Sequence, residues 1–225
     1  MDASPLFISL KVSFLATGFT FIFGILAAKQ VVKMKRFQGL LDGVFTLPMI
    51  LPPTVVGFFL LLVFGRNGWL GKLLALLDVN IVFSWWAAVI ASTVVSFPLM
   101  YRTVRGAFEE VDSDMVQAAR TLGIGEYAIF YRIILPNVVP SIIAGTILAF
   151  ARALGEFGTT IMLAGNIAGK TQTMAVAVYT AVQAGNRDLA FRWVMVICAL
   201  SFTSMFVMNQ VNGRYKKKNT KRGGL

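Results

Sequence analysis

The chain has 225 residues, 57% of them hydrophobic and only 14% charged, with a mean hydropathy of +0.74 and a formal net charge of +11. Ordinary globular domains carry roughly 45–50% apolar and about 25% charged residues, so a soluble domain of this length lacks the interior to hide these side chains, and the remaining solvent is lipid. With no histidine and a single cysteine, Cys198, imidazole metal sites, Ser-His or Cys-His nucleophile pairs, internal disulfides and thiolate clusters are excluded.

Gaps between charged residues predict an all-α integral membrane protein with about five spans, near 8–28, 43–64, 81–101, 138–163 and 193–212. Each approaches the ~20 apolar residues that cross a bilayer at 1.5 Å rise per residue. The first span follows Met1-Asp2-Ala3-Ser4, which has no basic n-region, and its basic cluster comes after the apolar run, so it reads as a retained helix and not a cleavable signal. In the second span Pro48, Pro52 and Pro53 free backbone carbonyls that protein or a wet cavity must satisfy, which fits either a pathway wall or a kink for packing.

Between the third and fourth spans lies the one sizeable water-facing element, 102–137, with five of the ten acids. Asp112-Ser113-Asp114 offers N-cap chemistry for a helix from Met115 to Leu122, which Gly123 stops. A second helix is expected from Glu126 to Ile134, ending before Pro136. Two short helices joined at glycine make a projecting knob.

The fourth span, drawn as one helix to Leu163, contains Arg152 and Glu156, four apart and so on one face. Arg152 falls about 21 Å along a helix begun at Val138. An unpaired arginine at that depth costs roughly 2.5–3.5 kcal/mol, so it should face protein or water. Small residues at four-residue spacing on the same helix (Gly145, Ala149, Ala153 and Ala151, Gly155, Thr159) permit close helix approach.

Residues 171–183 are uncharged, and Met174, Val178 and Val182 share a helical face, which predicts a short interfacial helix and not a sixth span. Trp69, Trp85, Trp86 and Trp193 fall near one set of span ends, where indoles anchor at the interface. The basic tail 213–225 reads as a frayed end touching anionic lipid. One set of loops and the tail carry fourteen lysines and arginines against six on the other side, with Arg152 in the membrane. The positive-inside rule then places the N-terminus outside and the C-terminus in the cytoplasm.

Two look-alikes are rejected. Gly165-Asn166-Ile167-Ala168-Gly169-Lys170-Thr171 would need a glycine where Ala164 stands to be a phosphate-binding loop, and no strand precedes it. Ala118–Ile124 resembles the start of a helix-turn-helix, but its recognition helix, Tyr127–Leu135, is too apolar to read base edges, so no nucleic acid is expected.

Gln117-Ala118-Ala119, then Gly123, Ile133 and Leu135-Pro136, resembles the cytoplasmic loop motif of ABC-importer permeases of type I, with Gln117 in place of the family's glutamate. The stretches Leu47–Gly57, Ser96–Met100, Phe150–Gly158 and Gly165–Thr173 resemble the molybdate-transporter permeases, with Ala168 in place of an expected proline. Sulfate and tungstate permeases share much of the pattern.

The resemblance implies a single permease domain over 1–225 that works as a homodimer in the inner cell membrane. Two cytoplasmic ATPase subunits would dock on the Gln117–Gly123 knob, and an external binding protein would deliver the oxyanion. It also implies no cofactor and no ATP hydrolysis by the chain itself. Arg152 and Glu156 then have two readings: an internal salt bridge, or part of the oxyanion path near its gate. A secondary transporter or channel is the rival, but such proteins place ionisable residues on several spans. A membrane enzyme is a further rival, disfavoured by the missing histidines.

Overall fold

The computed structural model describes residues 2–34 and 36–222, with side chains to residue 210. All regular elements among the described residues are helical. They are α1 (Ser4–Lys33), α2 (Gln38–Ile50), α3 (Pro53–Phe64), α4 (Trp69–Ala75), α5 (Trp85–Glu109), α6 (Ser113–Thr121), α7 (Glu126–Ile129), a π-helical turn (Phe130–Ile134), α8 (Leu135–Leu154), α9 (Gly158–Ala164), α10 (Met174–Gln183) and α11 (Arg187–Arg222).

The bundle is organised around α1, α5 and α8. Ile8 and Val12 pack with Ala87, Ala88 and Ala91, whereas Ala28 and Val31 pack with Met100, Tyr101 and Val104, so α1 and α5 run parallel. Their seam is built from small and hydroxyl residues. Thr20 Oγ1 lies 3.0 Å from Ser96 Oγ, and a Cβ on Gly24 would sit 2.8 Å from Met100 Cγ. In lipid, where greasy surfaces have no drive to associate, such close approach and hydroxyl bonding hold helices together. Helix α8 runs antiparallel: Val138 joins the cluster of Ala28 and Val104, while Leu154 packs against Leu6 and Leu10.

Because α1 and α5 are parallel, the chain between them must return along the bundle, and α2 with α3 makes that return. Gln38 bonds Glu109 at one end of α5; Leu60, Leu61 and Phe64 pack beside Ala87 and Ala88 at the other. The second span is therefore present but broken, with a bend of 113° between α2 and α3 where Pro52 and Pro53 interrupt the bonding ladder. Helix α11 starts beside Leu6 and Leu10 through Trp193 and passes Phe21 near Val207, so it runs parallel to α1. With the bent pair taken as one pass, the described residues run along the bundle five times, and the Ser4 end of α1 lies at the opposite end from α6 and α7.

Two expected boundaries and one helix face are corrected. The fourth span does not continue to Leu163: α8 ends at Leu154, and 158–164 forms the separate α9, because Gly155 leaves the helix and Phe157 departs from helical backbone (φ −127°, ψ −61°). The second knob helix does not stop before Pro136. It continues through the π turn into α8 as one rod, Glu126–Leu154. The i→i+5 turn sits just before Pro136 and makes room for a ring that brings no N–H. Helix α10 is present but buries Met174, Val176, Ala177 and Ala181, leaving Val182 60% exposed. It packs on α11 and α1 with Met174 and Val178 of the expected face against Trp193, and only Val182 stands outside that contact. The expected tail contact with lipid falls on side chains outside the described residues.

Candidate functional site

Two places carry the sequence-marked residues. The first is where the broken helices meet. Arg152 lies in the last turn of α8 and Glu156 in the break before α9. Arg152 Nη1 donates to Glu156 Oε2 at 2.7 Å, with the two side chains 33% and 1% exposed. The other carboxylate oxygen accepts the Thr159 backbone N–H at 2.8 Å. The Thr159 hydroxyl in turn donates to the Pro53 carbonyl at 2.9 Å, in the first turn of α3. One chain of polar contacts thus joins the α8–α9 break to the α2–α3 break.

Glycines bring these backbones together. A Cβ on Gly57 would meet Met162 Cβ at 2.7 Å and Thr159 Cα at 3.1 Å, and one on Gly158 would meet Pro53 Cβ at 2.9 Å. Glu156 is a buried charge held by a guanidinium and a backbone N–H, the pairing such a group needs. Arg152 makes only this one hydrogen bond among the described residues, so donors of its five-N–H fork remain available to another anion. The sequence brought the pair together correctly, but as members of one continuous helix; the structure has them straddle its end.

The second place is the knob. Asp112 caps α6 by accepting the Asp114 N–H at 2.8 Å. The helix closes where the Gly123 N–H bonds the Arg120 carbonyl and the Ile124 N–H the Ala119 carbonyl. Gly123 has φ +75°, and a Cβ there would touch nothing within 4 Å, so backbone conformation and not space selects glycine. Arg120 Nε and Nη2 bind the two oxygens of Glu126 at 2.6 and 3.2 Å, stapling α6 to α7, and this bond holds the Arg120 guanidinium above its ordinary pKa.

Of the motif, Ala119 is buried, whereas Gln117, Ala118 and Gly123 are exposed. Leu122 (79%) and Tyr127 (86%) give the knob an apolar crown. Ile133, Leu135 and Pro136 stand on the π turn and the root of α8, with Leu135 packed on the core beneath. The motif therefore covers a knob and its rigid attachment.

A third cluster was not singled out in the sequence. Asp42 of α2 receives the Tyr101 hydroxyl and pairs with Arg105. Arg105 also binds Glu109 at 2.9 Å, and Gln38 donates to Glu109 at 2.9 Å. The Arg105–Glu109 spacing was a readable signal; the arrival of Asp42 from another helix was not.

Comparison with known proteins agrees with this geometry. Residues 20–216 match the family described as binding-protein-dependent transport system inner membrane component. The molybdenum transport system permease protein ModB of Escherichia coli (strain K12) is 47% identical over 204 residues, 89% of each chain. The sulfate transport system permease protein CysT of Salmonella typhimurium is 35% identical over 213 residues, 94% of this chain and 76% of its own. A chain of the MetNI methionine ABC transporter, solved in inward-facing conformations, shares the fold with a TM-score of 0.72, covering 94% of both chains at 15% identity. A membrane bundle of broken helices with a stapled knob, matched along nearly its whole length, belongs to the binding-protein-dependent transport system inner membrane components, the permeases of ABC transporters.

Proposed function

We propose that this chain is the permease subunit of an ATP-driven importer of molybdate, acting as two copies with two cytoplasmic ATPase subunits and an external binding protein. The observation that carries the substrate is the difference in identity, 47% to the molybdenum permease against 35% to the sulfate one. In this reading the N-terminus lies outside and the knob of Gln117, Ala118, Ala119 and Gly123 lies in the cytoplasm, as the basic residues ask. The ATPase groove takes the apolar crown of Leu122 and Tyr127.

The mechanical step follows from the rod. Because α7, the π turn and α8 are continuous, a push on the knob is carried as a rigid-body movement to Arg152 at the far end. The Gln117 substitution removes a carboxylate from the docking face, so Arg120 and Glu126 supply the ionic order of the knob. Arg152 attracts the dianion as it passes, and Glu156 holds that attraction weak enough for release. The Glu156–Thr159–Pro53 contacts tie this step to the bend in α2–α3. ATP hydrolysis is left to the partner subunit.

The test is uptake of radiolabelled molybdate into proteoliposomes holding permease, ATPase and binding protein. ATP-dependent uptake that excess tungstate blocks and sulfate does not is the expected result. Displacement by sulfate would keep the importer and change its substrate. Uptake indifferent to ATP in an intact complex would overturn the reading.

A further inference from the structure

A cavity of about 470 Å³ opens between the knob and the last turns of α1, lined by Lys29 and Lys33 of α1 and Gln117, Arg120 and Glu126 of the knob. Its floor is apolar, with Val111 and Ile134 among the lining residues. Lys29 Nζ stands 4.0 Å above the centre of the Phe130 ring. Among the described residues neither Lys29 nor Lys33 has a carboxylate within ion-pair distance, whereas Arg120 is already occupied by Glu126. Three cations against one anion leave the cavity with a net positive charge over a greasy floor, Lys33 within electrostatic reach of Glu126 and Lys29 on the Phe130 ring, at the level where the apolar run of α1 ends after Ala28.

We infer that this cavity is a binding site for the headgroup of an anionic phospholipid. The phosphodiester sits between Lys29 and Lys33, and the first acyl carbons lie on Val111 and Ile134. Charge complementarity selects the occupant. A zwitterionic headgroup brings its own cation and gains little from two lysines, whereas a net anion gains from each. Free inorganic phosphate would use the lysines and leave the apolar floor bare. A lipid seated there lies between α1 and the knob, so the headgroup becomes part of the support against which the knob is held. The assignment rests on the cytoplasmic placement of the knob proposed above, where anionic lipid is concentrated. Its test does not depend on molybdate being the cargo.

The experiment counts lipids retained by the purified full-length chain in detergent, by native mass spectrometry, after titration with phosphatidylglycerol or phosphatidylcholine. Wild type is expected to keep phosphatidylglycerol about tenfold better than phosphatidylcholine. The double variant Lys29→Gln/Lys33→Gln should fall to the phosphatidylcholine level. Val111→Trp, which fills the floor and keeps both lysines, should lose phosphatidylglycerol as well. Arg66→Gln/Lys72→Gln, at the opposite end of the bundle, should retain it within about twofold.

Equal retention by wild type and the double variant would overturn the site. So would full displacement by millimolar inorganic phosphate, or loss of ATPase co-purification in the double variant with lipid retention unchanged. That last result would assign the cavity to the ATPase. Failure of molybdate uptake with these lipid results intact would count against the proposed substrate alone.

Discussion

Two of the Arg–Glu pairs among the described residues have nearly the same length and opposite surroundings. Arg120–Glu126 closes at 2.6 Å on the knob with the side chains 54% and 68% exposed; Arg152–Glu156 closes at 2.7 Å with Glu156 1% exposed. In water the first pair competes with solvent and salt and serves mainly to orient α6 on α7. In the second Glu156 is shut away from solvent, so its charge is obliged to the guanidinium. Equal geometry thus implies unequal energy. The exposed pair suits a surface that meets a partner, and the buried pair suits a joint that must hold while helices move.

The difference is sharpest if one partner is removed. Arg152→Met strands Glu156, and the permease should lose about 3 kcal/mol of stability, the lower end for a broken buried pair because the guanidinium is itself one-third exposed. The double variant Arg152→Met/Glu156→Met should recover most of that loss in detergent melting while uptake stays low. A single variant as stable as wild type would show that Glu156 is not confined as described.

Next in size is the packing around the joint. Gly57→Ala drives a methyl to 2.7 Å from Met162 Cβ and 3.1 Å from Thr159 Cα, an overpacking worth about 1–3 kcal/mol. Met162→Ala added to it removes only the Cγ contact at 3.2 Å and keeps the Cβ, so it should restore little of the loss. If Gly57→Ala melts with wild type, α3 and α9 are not seated as closely as these distances require.

Smaller again is the turn of the knob. Gly123→Ala meets no neighbour and pays only for φ +75°, about 1 kcal/mol. Its consequence should appear in ATPase co-purification more than in melting. Gly106→Ala, within α5 and also facing open space, is the control, expected to be neutral or slightly stabilising. Equal loss of the ATPase in both variants would remove the special role of Gly123.

The same contrast explains what the sequence revealed. Water-facing order is local: Asp112 as cap, Gly123 as stop and Glu126 as the next start are adjacent signals, and all three stand where the sequence puts them. Membrane order is long-range. An uncharged run looks the same whether its helix is whole or broken, so the end of α8 at Leu154 was hidden although Gly155 marked the place, whereas Pro52 and Pro53 allowed a kink without giving its 113° size. The partners were more hidden still, since Thr159 finds Pro53 across 106 residues and Asp42 finds Tyr101 across 59. The π turn before Pro136 was missed because proline was read as a stop, when a widened turn lets the rod continue.

The smallest effect is expected at the exposed pair, and its form matters more than its size. Arg120→Gln should leave the melting temperature unresolved from wild type, because both side chains are more than half exposed. What should change is the response of ATPase association to salt. Raising ionic strength from about 0.1 M to about 1 M shortens the screening length from about 10 Å to about 3 Å. Wild type should then lose affinity, and the variant, already without its guanidinium, should lose less. Identical salt responses would mean that the Arg120–Glu126 staple does not order the docking face, and that the apolar crown of Leu122 and Tyr127 supports the contact alone.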